Sequence, residues 1–390
     1  MKKVVSIVLN NFKNDSRVQK ENISLQNAGY GVQVVALWED GVKEKEIVQN
    51  IPVHRVKLKS KNWSKNKFVQ LIKYFEFLYK VSKKYKNTDI LHCNDLNTLP
   101  IGVIAKKFYN ENIKIVYDAH EYEINDTPNE SKYKIKLKYI LEKYLIKYAD
   151  AVITVSESIA NEYVKLYNIK KPSLVLNTPP YKEIDKKDIF REKFNIPKET
   201  TIFLYQGGLS SGRGIEILLE TFKQLNQKPT INTLITNNKY TNTPIIIFMG
   251  YGELEQEIKE IAKEYNNIYF HPAVTPDILL DYTSSADFGI STIEESCLSY
   301  RYCLPNKMFE YIMAEVPVIV SNLPEMNKIV ESHKVGVVAK ENTPQGLKEA
   351  IQKAIKLDKE KLKTNIKKLK TIYNWENQEK VLLQTYKDIA

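Results

Sequence analysis

The chain has 390 residues, 43% hydrophobic and 27% charged, a composition typical of a soluble globular protein with two domains. Cys93, Cys297 and Cys303 show no pairing or zinc-binding pattern, which argues against a disulfide-stapled secreted fold. The apolar run near the start, VVSIVL, is too short for a signal peptide or a membrane span. We therefore expect a cytoplasmic protein.

The net charge of +11 is unevenly distributed along the chain. Residues 1–180 contain 30 Lys and Arg against 19 Asp and Glu, so the first half carries the whole excess. Such an asymmetry indicates an anionic partner for the first half.

The first half alternates short apolar runs with amphipathic segments, which predicts a parallel sheet with crossover helices. Strands are predicted at 4–9, 32–37, 53–58, 90–93, 113–117, 151–155 and 174–176. Helices are predicted at 17–28, 68–86, 99–109, 133–148 and 156–167. The turn after the first strand, NNFKNDSR, lacks the G-x-G-x-x-G of a dinucleotide site, which argues against a nicotinamide dehydrogenase.

Several polar residues follow these strands and so belong at the carboxyl edge of the sheet, where α/β proteins bind ligands. His120, in YDAHEYE, can accept a hydroxyl proton as a neutral imidazole, with Glu121 as a supporting acceptor. Asn94 and Asp95, in HCNDLNT, are candidate acceptor contacts, as is Arg17 at the first helix. A structural histidine and a solvent-exposed arginine remain open alternatives.

Two basic segments of the first half also carry aromatic residues. Residues 55–86 hold eleven basic side chains against one acid, Glu76. The 133–148 helix places one set of apolar residues on a single face: Tyr133, Leu137, Ile140, Leu141, Tyr144 and Tyr148. We favour core-packed helices with solvated lysines, and the alternative is docking on an anionic membrane surface, which would place the protein peripherally on the inner face of the cell membrane. No nucleic-acid-binding motif occurs, so we expect no nucleic-acid partner.

After a Pro-rich and charged linker at 178–200 with one short helix, the second half repeats the alternation. Strands are predicted at 202–205, 245–249, 268–270, 288–293, 317–321 and 335–338. Helices are predicted at 215–226, 254–265, 276–284, from 305, at 344–355 and at the C-terminus. TINTLITNNKYTNTP, residues 230–244, is predicted to be a surface loop.

Two segments of the second half suit a phosphate ligand. In LYQGGLSSGRGIE, Gly207 and Gly208 allow close backbone approach and Arg213 can grip a diphosphate, although a glycine-rich turn with a solvated arginine is the alternative. In PNKMFEY, a helix that opens at a proline directs its positive end toward a phosphate. Lys307 and Glu310 share one face of that helix, where Glu310 can accept hydrogen bonds from a ribose diol.

The segment PNKMFEYIMAEVPVIVSN resembles the donor-nucleotide segment of retaining glycosyltransferases of the GT-B fold, family-4-like and group 1 of the bacterial enzymes. The resemblance is closest to a subgroup with the pattern S-Y-x(4)-P-N-K-x-x-E-Y. This chain matches it at Ser299, Tyr300, Pro305, Asn306, Lys307, Glu310 and Tyr311.

The resemblance implies an α/β fold of two Rossmann-like domains whose parallel sheets face a cleft. Residues 1–180 would form the acceptor-side domain, with the 375–390 helix packing back on it, and residues 185–372 the nucleotide-sugar domain. In the family, the residue at Glu310 holds the ribose, the one at Arg213 the diphosphate, and the one at His120 faces the reacting sugar. We take His120 and Glu310 as catalytic, and Gly207, Gly208, Arg213, Ser299, Tyr300, Asn306 and Lys307 as donor-binding residues.

The implied activity is transfer of a sugar from a nucleotide diphosphate sugar, with UDP favoured, to a lipid-linked or cell-surface glycan. No metal or other cofactor is expected, because the helix dipole, Arg213 and Lys307 neutralise the diphosphate. The alternatives are a nucleotide-sugar epimerase of the same fold and a sugar-nucleotide-binding protein without turnover.

Three positions depart from the family pattern. Tyr302 stands where many members have a second glutamate, and Gly208 where many have an arginine. Glu315 replaces the usual helix-ending glycine, so we expect the helix to end differently or to carry backbone strain.

Overall fold

The computed structural model describes residues 1–13, 15–226 and 243–389. These residues form two compact units, one of Met1–Leu176 with Gln378–Ala390 and one of Asn177–Asn377. All but the last two residues of the predicted loop at 230–244 lie outside the described residues.

The first unit is built on an eight-stranded sheet in the order β3-β4-β2-β1-β5-β6-β7-β8. The strands are β1 Lys3–Ile7, β2 Gly31–Leu37, β3 Lys45–Val48, β4 Ile51–Val56, β5 Ile90–Asn94, β6 Lys114–Ala119, β7 Ala151–Thr154 and β8 Ser173–Leu174. All pairings are parallel except that of β3 with β4. Sequence analysis missed β3 because KEIV is short and half polar, which an edge strand tolerates.

Five helices connect these strands: α1 Ser16–Asn27, α2 Lys67–Lys84, α3 Leu99–Phe108, α4 Lys132–Leu145 and α5 Glu157–Tyr167. Side chains cap four of them, because Asp15, Asn66, Ser131 and Ser156 each accept a hydrogen bond from a backbone N–H of the first turn. The predicted helix at 156–167 thus begins at a side-chain cap, Ser156.

The second unit contains a six-stranded sheet, parallel throughout its described residues, in the order β11-β10-β9-β12-β13-β14. Its strands are β9 Ile202–Gly208, β10 Ile245–Tyr251, β11 Ile268–Pro272, β12 Phe288–Ser291, β13 Val318–Ser321 and β14 Gly336–Ala339. The predicted α/β fold with two parallel sheets is thus confirmed.

The helices of this half are α6 Ile189–Phe194, α7 Ile215–Leu225, α8 Glu255–Glu264, α9 Pro276–Ser284, α10 Leu298–Arg301, α11 Asn306–Met313, α12 Pro324–His333, α13 Pro344–Ile355, α14 Lys359–Lys370 and α15 Trp375–Ile389. Sequence analysis missed α10, α12 and α14. Pro305 is the extended N-cap of α11 (φ −70°, ψ 139°) and not its first helical residue.

Helix α11 ends in a left-handed glutamate. Glu315 has φ 60°, and the following N–H, that of Val316, donates to the Tyr311 carbonyl at 2.9 Å. This conformation costs a residue with a Cβ about 1–2 kcal/mol. The carboxylate of Glu315 lies 2.8 Å from the ammonium of Lys370, a buried side chain, and this ion pair opposes the cost. The expected backbone strain is therefore present.

Candidate functional site

The candidate donor site lies at the carboxyl edge of the second sheet, where β9 ends and α11 begins. Lys307, in the first turn of α11, is buried, and its Nζ lies 3.5 Å from the ring centroid of Tyr205. Burial lowers the pKa of Lys307 well below its usual value, and Arg213 adds to this effect while Glu310 opposes it. An anion that reached Lys307 would favour its charged form.

Arg213 is the second cation of the candidate donor site. Its guanidinium carbon lies 5.3 Å from the ring centroid of Tyr300. The loop that carries it needs positive φ at Gly207 (112°) and Gly212 (78°), which glycine adopts without strain. Neither Arg213 nor Lys307 forms an ion pair with any residue that the structure describes. Both basic side chains lie against aromatic rings and not against carboxylates.

Glu310 is held in place by a chain of hydrogen bonds. Gln206 Nε2 donates to Glu310 Oε2 at 2.6 Å, and Thr283 Oγ1 donates to Gln206 Oε1 at 2.8 Å. The Tyr311 hydroxyl accepts from the Gln206 N–H at 3.1 Å and donates to the Leu204 carbonyl at 3.0 Å. Sequence analysis missed Gln206, whose signal is an amide in an otherwise apolar strand.

The other predicted donor residues lie at the end of β9 and on α10 and α11. A Cβ on Gly207 would lie 3.6 Å from the Lys307 side chain, whereas one on Gly208 would meet nothing within 4 Å. The backbone at Gly208 therefore borders open space where many family members have an arginine. Ser299 is buried in α10, Asn306 is exposed at the first position of α11, and Tyr302 caps the end of α10.

In the first unit, His120 lies between two carboxylates. Its Nε2 is 3.0 Å from Asp118 Oδ2 and its Nδ1 is 3.3 Å from Asp95 Oδ1. Burial opposes protonation, but Asp118 and then Asp95 outweigh it and raise the pKa of His120 to about 9. This raised pKa favours the imidazolium form of His120 at neutral pH, in contrast to the neutral proton acceptor that the sequence predicted.

Arg17 is part of a buried charge network, so the alternative of a solvent-exposed arginine is wrong. Its guanidinium donates to Asp118 at 2.9 Å and to the Val175 carbonyl at 2.7 Å, and it lies 3.1 Å from Glu21. Burial would raise the pKa of Asp118, but Arg17 and His120 hold it well below its usual range. Burial raises the pKa of Glu21 to about 7, against the effect of Arg17.

His92 extends this network to the C-terminal helix and was missed by sequence analysis. The Tyr386 hydroxyl of α15 lies 2.6 Å from His92 Nδ1, and His92 Nε2 lies 3.6 Å from Asp118 and 3.7 Å from Glu21. Glu21, His92 and Asp118 have the spacing of a metal-ion group. The Arg17 guanidinium already supplies positive charge beside both carboxylates.

The remaining predicted residues of the first unit have different surroundings. Asn94 is buried and donates to Ser6 Oγ and to the Ile7 carbonyl, so its side chain links β5 to β1. Asp95 has a left-handed backbone (φ 65°) and a side chain that is 39% exposed, and Glu121 is exposed. Asp95 is therefore a partly exposed carboxylate held by the imidazolium of His120.

Helices α2 and α4 expose much of their apolar surface. We define the aromatic–lysine face as the exposed apolar residues of these helices together with the lysines around them: Phe68, Leu71, Phe75, Tyr79, Tyr133, Leu137, Ile140, Leu141 and Tyr144. Leu137 and Ile140 are 55% and 53% exposed. The core-packed interpretation is therefore wrong for the predicted face of α4. None of the helices described is both long and apolar enough to cross a membrane.

Two family models match the chain. The model for glycosyl transferases of group 1 covers residues 186–370, and that for glycosyltransferase family 4 covers residues 23–177. An uncharacterised glycosyltransferase of Methanocaldococcus jannaschii is 26% identical over 277 residues, 66% of this chain and 61% of that protein. The chitobiosyldiphosphodolichol beta-mannosyltransferase of Debaryomyces hansenii is 22% identical over 340 residues, 77% of this chain and 68% of that enzyme. The match thus spans less than two thirds of the length of the archaeal relative.

Solved structures share the fold. Sucrose-phosphate synthase from Thermosynechococcus elongatus superposes with a TM-score of 0.78 at 16% identity, covering 100% of this chain and 99% of that one. Anabaena HepE in complex with UDP-glucose gives a TM-score of 0.71 at 14% identity, covering 99% and 100%.

Proposed function

The chain belongs to the group 1 glycosyltransferases of the GT-B fold, and on that premise we propose that it transfers a sugar from a UDP-sugar to a lipid-linked or cell-surface glycan, with retention of configuration. The observation that carries the donor half of this proposal is the pair of cations, Arg213 and Lys307, held on aromatic rings beside Glu310. UDP as the nucleotide is supported by the UDP-glucose bound to the Anabaena neighbour. Retention rests on the resemblance alone.

The second unit would bind and activate the donor. Arg213 and Lys307 would stabilise the negative charge that develops on the departing diphosphate, without a metal ion. Glu310, fixed by Gln206, would accept hydrogen bonds from the ribose hydroxyls. The first unit would supply Asp95, whose carboxylate can accept a hydrogen bond from the acceptor hydroxyl while His120 holds it.

A lipid-linked acceptor is supported by two observations. The Debaryomyces relative is named for a diphosphodolichol acceptor. The aromatic–lysine face combines exposed rings with the basic excess of the first half, and amphipathic surfaces of this kind bind anionic bilayers. We therefore assign an anionic membrane surface as the partner of this face.

Product analysis tests the transfer itself. The protein is incubated with a panel of UDP-sugars and an isoprenyl-diphosphate-linked glycan, and the glycan is analysed by mass spectrometry for added sugar. Donor consumption that depends on the acceptor is expected. Donor epimerisation without acceptor would favour the epimerase, and nucleotide-sugar binding without any turnover would favour a binding protein.

Sedimentation with vesicles tests the membrane surface. Leu137→Ser with Ile140→Ser should abolish binding to vesicles that contain phosphatidylglycerol, because both side chains are exposed and their loss should not affect folding. The matched control changes two exposed isoleucines of the second unit, Ile355→Ser and Ile372→Ser. Wild-type protein that stays in the supernatant even at low salt would contradict the docking proposal.

A further inference from the structure

A hollow at the carboxyl edge of the first sheet lies apart from the His120 network. Its volume is about 410 Å³, and it is lined by Trp38, Asp40, Lys57, Leu58, Lys59 and Lys61, which we call the Trp38 pocket. Strands β2 and β4 are neighbours that end at Leu37 and Val56, so Trp38 and Lys57 follow directly at this edge. We propose that the Trp38 pocket binds the phosphate or diphosphate group of the acceptor lipid. This inference rests on the proposed function.

The charge of the pocket favours an anion. Three lysines and one acid, Asp40, line the pocket, and the Asp40 carboxylate lies 2.5 Å from the ammonium group of Lys61. The ammonium groups of Lys61 and Lys57 lie 3.9 Å and 4.5 Å from the ring centroid of Trp38. Such contacts hold the lysines in place before a ligand arrives. The two ammonium groups also occupy the space over the Trp38 ring in which a neutral sugar would otherwise stack.

The backbone around the pocket is fixed by hydrogen bonds. Trp38 Nε1 donates to the Val42 carbonyl at 2.9 Å, which orients the ring. The carboxylate of Glu76 accepts from the N–H groups of Lys59 and Ser60 at 2.6 Å and 3.0 Å. Because the Glu76 carboxylate is paired with the backbone and with Lys80, it does not form ion pairs with the lysines of the pocket.

The surroundings of the pocket indicate an anion with an apolar tail. Trp63 is two residues beyond Lys61 and is 55% exposed, and Phe68, in the first turn of α2, is also exposed. An isoprenyl diphosphate would match both features, with its phosphates on the lysines and its chain on the aromatic–lysine face. A free phosphate or a phospholipid headgroup would also bind the lysines through its negative charge, but neither matches both the lysines and the exposed aromatic residues.

Calorimetry with soluble probes tests the pocket. UDP is first added to saturation so that the donor site is filled, and farnesyl diphosphate, inorganic pyrophosphate and farnesol are then titrated. Farnesyl diphosphate should bind more tightly than pyrophosphate, and farnesol should bind least. Lys57→Gln with Lys61→Gln should weaken farnesyl diphosphate binding by about tenfold or more, because charge-assisted contacts are lost.

Two further variants make the test specific. Lys165→Gln with Lys170→Gln removes the same charge from exposed positions of the first unit outside both the pocket and the aromatic–lysine face, and should leave the affinity within about twofold. Asp40→Asn should tighten binding severalfold, because it releases Lys61 from its ion pair. A purely structural role for the pocket would not produce that gain.

Other results would overturn the assignment. Equal loss in both double-lysine variants would indicate diffuse electrostatic attraction in place of a pocket. If Lys57→Gln with Lys61→Gln abolished binding to phosphatidylglycerol vesicles but left the farnesyl diphosphate affinity unchanged, the pocket would be assigned to a membrane headgroup and not to the acceptor. UDP affinity is recorded in the same samples, so that failure of wild-type protein to bind UDP counts against the proposed function and not against the pocket.

Discussion

The buried network around His120 in the first unit and the candidate donor site in the second unit use charge in opposite ways. In the first unit, Arg17, Asp118 and His120 neutralise one another through short contacts in a buried network. In the second unit, Arg213 and Lys307 lie against tyrosine rings and have no ion pair among the described residues. A network that satisfies its own charges stabilises a fold, whereas cations left without counter-charge are prepared for an anionic ligand.

The largest effect should follow removal of Asp118. Asp118→Ala removes the buried carboxylate that Arg17 and His120 share, and breaking a buried ion pair typically costs about 3–5 kcal/mol of unfolding free energy. Urea denaturation measures the loss. Asp126→Ala, which removes a partly exposed partner of Lys138, is the control and should cost about 1 kcal/mol or less. Equal costs in the two variants would mean that the network does not stabilise the first unit.

The pH dependence of stability should sharpen the same contrast. The folded pKa of His120, about 9, exceeds the value of 6.5 for a free histidine, so its contribution is complete below about pH 6.5 and is lost as the pH rises through 9. The contribution is on the order of 3 kcal/mol. The unfolding free energy of wild-type protein minus that of His120→Gln should therefore fall between about pH 6.5 and pH 9. A constant difference would contradict the imidazolium.

In the second unit, loss of a cation should affect ligand binding more than stability. Arg213→Ala should weaken UDP binding by about 1.5–3 kcal/mol, because a charge-assisted contact to the diphosphate is lost. Its melting temperature should stay near that of the wild type. Calorimetry and thermal melts measure both, and Lys353→Ala, at an exposed position of α13, is the control. A variant that melts early and still binds UDP would reverse the contrast between the units.

A smaller effect is expected at the C-terminal helix. Tyr386→Phe removes the hydroxyl that bonds His92 and leaves the ring in place, which should cost about 0.5–1.5 kcal/mol of unfolding free energy. Thermal or urea unfolding measures this cost. No destabilisation would mean that the hydrogen bond to His92 contributes nothing to the first unit.

The features that sequence analysis predicted well depend on local spacing. Lys307 and Glu310 are three residues apart on one helix, and Pro276–Ser284 and Pro344–Ile355 begin at prolines, so their bounds match the predicted ones. The contacts it missed join distant residues. Tyr386 and His92 are 294 residues apart, and Gln206 and Glu310 are 104 apart.

Charge states were also beyond the sequence. The protonation of His120 depends on Asp95 and Asp118. Asp95 directly follows β5, Asp118 lies near the end of the neighbouring strand β6, and the two carboxylates contact the two nitrogens of the His120 ring. The exposure of α4 depends on which of its faces packs on the sheet. Amphipathic spacing identifies an apolar face but does not reveal whether protein or another surface covers it.

Calorimetric titration of UDP into His120→Ala and Glu310→Ala tests the central claim, that donor binding belongs to the second unit alone. Glu310→Ala should lose tenfold to a hundredfold in UDP affinity, about 1.5–3 kcal/mol, together with transfer activity. His120→Ala should retain nearly wild-type UDP affinity while its turnover falls heavily, since its imidazolium holds the Asp95 carboxylate of the first unit. A loss of UDP affinity in His120→Ala as severe as that in Glu310→Ala would contradict this division between the two units.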